Sequence, residues 1–190
     1  MKKLNKILVV LMLAVFALPL LNSCKKGEGD PFLSLKSRAG RLKGEWNLAS
    51  GTETGTWGTD SYTITYTGSM ATFAMSGNSN TYMYTEKMEF LKDNVFKSTV
   101  MDDGDLESSE GFWAFMDGYD EYSAKEMLVV RLKQFTTANG TQMWTGDDMP
   151  MFILRFNKLS GSEAIVDANG TSIAGGNTNT TSSSKTYTKK

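Results

Sequence analysis

The chain has 190 residues, 40% of them hydrophobic and 22% charged, with 18 Gly, a single Cys, no His and a formal net charge of -1. One Cys excludes an internal disulfide and a multi-thiolate metal site. The lack of His removes imidazole metal ligands, the commonest general base, and the Ser-His and Cys-His nucleophile pairs. The length suits about one domain, and the inventory calls for no cofactor.

Residues 1–23 read as a secretory signal. Lys2, Lys3 and Lys6 form a positive start, and the apolar stretch from Ile7 to Leu21 is shorter than the ~20 residues of a spanning helix. Leu21-Asn22-Ser23-Cys24 follows. It resembles the lipobox of bacterial lipoproteins, which implies cleavage before Cys24 and a diacylglycerol group, with palmitate-type chains, on its thiol. Each buried CH₂ contributes ~0.8 kcal/mol, so several acyl chains anchor a protein durably. The expected partner is thus a lipid bilayer, and the expected place is the outer membrane, periplasmic or surface-exposed.

Residues 24–43 form a linker. Lys25, Lys26, Lys36, Arg38, Arg41 and Lys43 face only Glu28 and Asp30 there. This basic neck either lies against anionic headgroups or is a solvated spacer. Phe32-Leu33-Ser34-Leu35 is apolar enough for one helical turn docking on the body. The body itself, residues 44–169, carries 8 Lys and Arg against 19 Asp and Glu. An acidic body repels phosphates, so nucleic acid is excluded as a partner.

Within the body, apolar and polar residues alternate with the period of two that marks strands. Tyr62, Ile64 and Tyr66 share one face with threonines between them; Leu128, Val130 and Leu132 repeat the pattern, as do Phe152, Leu154 and Phe156. Turn pairs such as Gly77-Asn78, Asp103-Gly104 and Asn139-Gly140 punctuate the runs. Strands are expected near 44–51, 59–68, 80–91, 95–101, 105–116, 125–136, 149–158 and 162–168. Eight consecutive strands with short links predict an all-β, eight-stranded antiparallel up-and-down barrel, closed to remove free edges.

Gly44-Glu45-Trp46 opens the first strand. It resembles the Gly-x-Trp signature of lipocalins and related fatty-acid-binding barrels, in which the Trp plugs the closed end. The segment from Asp30 to Asn169 resembles the lipocalin-like domain of small lipoproteins of the Bacteroidetes type. The stretches DPFLSLKSRAGRLKGEWNL and FILRFNKLSGSEAIVDANG carry that resemblance. It implies the fold, with Gly44 and Trp46 as barrel-closing residues, and no defined ligand. The chain departs from the family at Thr145-Gly146-Asp147-Asp148 and at Arg155, whose parity sets it opposite the apolar face. A stack of Arg155 on Trp46 is not expected.

Residues 170–190 are Gly, Asn, Thr and Ser with few apolar side chains. They cannot offset their ordering entropy by apolar burial and are expected to form a flexible tail. The Asn169-Gly170 pair offers an alternative, a fold-back of 171–174 as a short strand.

The candidate site is the barrel interior. Tyr62, Ile64, Tyr66, Tyr82, Tyr84, Glu86, Met88, Leu128, Val130, Phe152, Leu154 and Phe156 would line a cavity for a small hydrophobic ligand. Equally, they could fill the barrel as an ordinary core, leaving a surface or structural module that contacts another envelope protein. Glu86 shares parity with Tyr82, Tyr84 and Met88; a wet position near the rim is its simpler expectation. Phe112 faces away from Trp113 and Phe115, while Trp57 and Trp144 fall in loops, where packing on a neighbouring loop is the plainer account. The acidic turns Asp102-Asp103-Gly104-Asp105 with Glu107, and Asp117, Asp120 and Glu121, lack the spacing of a calcium loop and read as solvated tips. No metal and no catalytic residue is expected, and function is read as binding without turnover.

Overall fold

The computed structural model of the chain describes residues 37–116, 126–174 and 177–190, without the side chains of 171–178. A helical turn, α1 (Arg38–Leu42), precedes eleven strands among the described residues. They are β1 (Gly44–Trp57), β2 (Asp60–Thr67), β3 (Met70–Met75), β4 (Asn78–Phe90), β5 (Val95–Asp102), β6 (Asp105–Met116), β7 (Glu126–Thr137), β8 (Gly140–Met143), β9 (Met151–Leu159), β10 (Glu163–Ala174) and β11 (Asn177–Lys189). All pairings are antiparallel. Ten strands close a barrel, because β6 pairs with β7, β9 follows β7, and β11 returns to β1, while β8 lies on β7 as an extra strand.

The number of strands around the wall changes with height. At its start β1 pairs directly with β4, from Gly44 opposite Phe90 to Asn47 opposite Lys87. Beyond an irregularity between Leu48 and Ser50, β1 pairs instead with β2, from Ser50 opposite Thr67 to Trp57 opposite Asp60. The β2–β3 hairpin is thus wedged between β1 and β4. Its tip is stitched in by Gly68 N donating to Ala49 O and Tyr84 N donating to Ser69 O, both at 2.9 Å. Eight strands ring the lower end and ten the upper. Ala71, Phe73 and Met75 of β3 sit opposite Tyr66, Ile64 and Tyr62, so the inserted hairpin keeps the inward alternation.

The lower end is sealed. Ser37 caps α1, its Oγ accepting from Gly40 N at 3.1 Å. Leu42 and Trp46 are buried beneath the turn, and Trp46 Nε1 donates to Leu42 O at 2.6 Å. Lys189, at the end of β11, places its ammonium 5.0 Å from the Trp46 ring centroid and donates to Arg41 O at 2.6 Å. The cation over Trp46 thus comes from the last strand; Arg155, opposite Asp167, faces outward as its parity implied. Arg41 and Glu126 are 2% and 1% exposed, with Arg41 Nη2 at 2.8 Å and Arg38 Nε at 3.2 Å from the same Glu126 oxygen. Above this seal, Phe90, Phe96 and Trp113 pack edge to face or tilted. Gly111 lies opposite Phe96 and Leu132 and has no room for a side chain, since a Cβ there would overlap the Arg131 carbonyl.

Several sequence expectations change. The closed wall has ten strands rather than eight: β3 was absent from the expected set, and the final strand lies in the segment expected to be a flexible tail. Residues 177–189 form β11, which pairs with β1 on one side and β10 on the other. Its β-branched threonines suit a strand, and its inward Lys185 and Tyr187 both bond the partly buried Glu86, so apolar area is the wrong measure of its capacity to order. Arg38 and Arg41 are not a headgroup contact or a solvated spacer but ion-pair with Glu126. Trp57 does not pack on a loop; it ends β1 at 70% exposure. Cys24, the apolar 32–35 turn, Asp117, Asp120 and Glu121 lie outside the described residues.

Candidate functional site

All twelve interior residues named from the sequence fall on inward-facing register positions, at three levels. Leu128, Val130 and Phe156 pack at the lower end and are at most 1% exposed, so they belong to the filled core and not to a cavity wall. Glu86, Met88, Phe152 and Leu154 line a cavity of about 230 Å³ with Phe96, Ser98, Val166, Ala168, Ser183, Lys185 and Tyr187. These residues come from β4 and β5 on one wall and β9 to β11 on the other, so the cavity spans the lumen. Tyr62, Ile64, Tyr66, Tyr82 and Tyr84 stand above or beside it on β2 and β4. A larger hollow of about 480 Å³ is an outer groove over β1 and β9 to β11, walled by short polar side chains with Arg155, Asn157 and Asp167.

Glu86 is not wet. Its side chain is 13% exposed and that of Lys185 14%, and the two pair at 2.7 Å. Tyr187 donates to the second Glu86 oxygen at 2.6 Å, and Tyr84 to the first at 3.0 Å. The Lys185 ammonium also lies 4.6 Å from the Tyr66 ring centroid and 5.7 Å from that of Tyr84. One cation and two hydroxyl donors satisfy most of the acceptor capacity of this partly buried carboxylate, which offsets the cost of withdrawing its charge from water. Lys185 sits 99 positions from Glu86 in the chain, so no local spacing announced the pair.

A second carboxylate was missed altogether. Glu53 faces inward from β1, between Ile64 of β2 and Ser183 of β11. It accepts from Tyr62 Oη at 3.1 Å and Tyr66 Oη at 3.4 Å. Gly51 and Gly55 flank it on the same face. A Cβ at Gly55 would stand 2.7 Å from the Tyr62 ring, and one at Gly51 would stand 3.0 Å from Lys185 Cγ. The glycines let Tyr62 and Lys185 lie across β1 on either side of the carboxylate.

Burial, reinforced by the Glu53 and Glu86 charges at Tyr66 and by the Glu86 charge at Tyr84, raises these phenols well above their ordinary value; burial and Glu86 do the same for Tyr187. Each phenol stays protonated in the folded barrel at a pH where the unfolded chain would ionise it. The stability this contributes is complete below about pH 10 and is lost as pH rises beyond it. Each tyrosine steepens that loss by up to about 1.4 kcal/mol per pH unit. An alkaline titration should therefore show the phenolate absorbance of these three appearing together with unfolding. Smooth ionisation of all seven tyrosines in the folded protein, near pH 10, would contradict it.

The acidic turn Asp102–Asp105 forms the β5–β6 hairpin tip, with Asp103 and Gly104 at positive φ. Burial and the neighbouring Asp103 and Asp105 raise the Asp102 carboxyl. Trp113 and Phe115 face inward, while Phe112 is 46% exposed. Fold and site together define a closed β-barrel, sealed at one end, with an interior that is apolar below and polar above. No family model, curated protein or solved structure matches the chain.

Proposed function

We propose that this chain is a lipid-anchored, lipocalin-like envelope protein whose barrel binds a small, largely apolar ligand without chemical turnover. The lumen-spanning cavity carries this reading. Met88, Phe96, Phe152, Leu154 and Val166 give it apolar walls, and Glu86, Lys185 and Tyr187 a polar one. Burial of ligand against such walls is worth ~25 cal/mol per Å² of apolar area. Its size lies below the ~300–1,000 Å³ of pockets for drug-sized ligands, so the ligand is small. Binding without turnover fits a site whose carboxylate already holds three donors. The anchor reading rests on Lys2 to Cys24. The chain enters the barrel at its sealed end through α1, so acylated Cys24 in the outer membrane would tether that end.

A second reading, a surface module for another envelope protein, has its own support. Met70 and Met83 pair across β3 and β4 at 42% and 53% exposure, and Met143 and Met151 are more exposed still. Flexible thioethers suit an adaptable contact surface.

Native mass spectrometry of protein isolated gently from cells separates the two. The ligand reading expects a reproducible added mass that organic extraction removes, and that Ala168→Leu, which fills the cavity, abolishes without unfolding the barrel. An apo mass that added short amphiphiles leave unchanged would overturn it in favour of the surface module.

A further inference from the structure

We propose that the ligand carries an organic ammonium group, held at the upper lumen by the Glu53 carboxylate and the rings of Tyr62 and Tyr66, with its apolar remainder in the cavity below. This rests on the small-ligand reading above and names the chemical class of that ligand.

Three observations carry it. Glu53 is half-buried and makes no ion pair among the described residues; its oxygens receive only the two tyrosine hydroxyls. Lys185, one level down, shows what this surface accepts. Its own ammonium sits against a carboxylate, Glu86, and over the faces of Tyr66 and Tyr84. Tyr66 is shared, since its ring covers Lys185 while its hydroxyl reaches Glu53. The protein's own cation thus occupies one of two adjoining carboxylate–tyrosine sites, and the other has none. Attraction of a cation to aromatic faces strengthens as water is excluded.

Charge points the same way. Glu53, Glu86, Asp102 and Glu107 occupy the inward register of β1, β4, β5 and β6 in the upper half. Lys185 is the basic residue among the described residues that faces them on that register, and Glu86 neutralises it. A ligand anion would enter against this excess, and a cation with it. Ser183 links the two parts of the site: it is the register partner of Glu53 and also lines the cavity.

The test uses three probes with one tail and different heads, hexylammonium, hexan-1-ol and hexanoate, titrated calorimetrically into the purified protein near pH 7. The expected order places hexylammonium at least tenfold tighter than hexanol, with hexanoate weakest. Glu53→Gln should bring hexylammonium down to the affinity of hexanol for the same variant, whereas Glu53→Asp should keep much of the ammonium preference. Equal binding of all three heads, tighter binding of hexanoate, or an ammonium preference that survives Glu53→Gln would overturn the head-group assignment while leaving the cavity reading intact. Binding of none of the three would overturn both. The comparison of heads on the unaltered protein decides the matter even if the Gln variant fails to fold.

Discussion

Trp46→Ala should lower folding stability by about 3–5 kcal/mol, the usual cost of emptying a buried aromatic site. Trp46 is 1% exposed and sits where α1, β1, β4 and β11 converge. Its indole N–H anchors the helical turn through Leu42 O, and its face carries the Lys189 ammonium. Removing the ring therefore opens a void and loosens both the turn and the last strand. In a domain of this size, roughly 2–4 °C are lost per kcal/mol, so thermal unfolding should shift by roughly 6–20 °C. Trp46→Phe should cost less, since it keeps an apolar ring while losing the indole donor and part of the ring volume. A loss below about 1 kcal/mol for Trp46→Ala in urea unfolding would show that the sealed end is not a structural keystone.

Glu126→Leu should be comparably severe, at about 3–5 kcal/mol, for an electrostatic reason. One Glu126 oxygen serves both Arg41 and Arg38, and Arg41 is 2% exposed. The substitution takes the carboxylate away from a guanidinium that water cannot reach. A double-mutant cycle makes the argument quantitative: Glu126→Leu combined with Arg41→Met should be less destabilised than Glu126→Leu alone, because apolar residues of similar volume replace a buried pair at little cost. Additive losses, read from urea midpoints, would mean that the pair is not coupled.

The inward faces of β2, β7 and β9 could be read directly, because Tyr62-Ile64-Tyr66, Leu128-Val130-Leu132 and Phe152-Leu154-Phe156 alternate cleanly and one face of each is buried. Gly44 starts β1, and Trp46 is buried near its base. What stayed hidden has physical causes. The first expected strand stops at residue 51, a glycine, which leaves Glu53 outside it. In the structure Gly51 is there for close approach, leaving room for Lys185. Thr, Ser and Asn bury little apolar area, so the final strand reads as a tail, yet the ammonium of Lys185 and the hydroxyl of Tyr187 find their acceptor, Glu86, 99 and 101 residues away. Partners so distant in sequence follow from barrel closure and from nothing local.

The β2–β3 insertion makes the barrel a funnel. Barrel diameter grows roughly linearly with strand number, so passing from eight strands to ten widens the bore by about a quarter between the seal and the mouth. The same contiguous segment that spreads the wall also delivers Tyr62 and Tyr66. Aperture and lining are therefore one cassette, spliced between two strands that already touch at their base. Shortening the hairpin would let β1 and β4 zip further upward, narrowing the throat and withdrawing both phenols in a single step, while the packed floor around Trp46 stayed as it is.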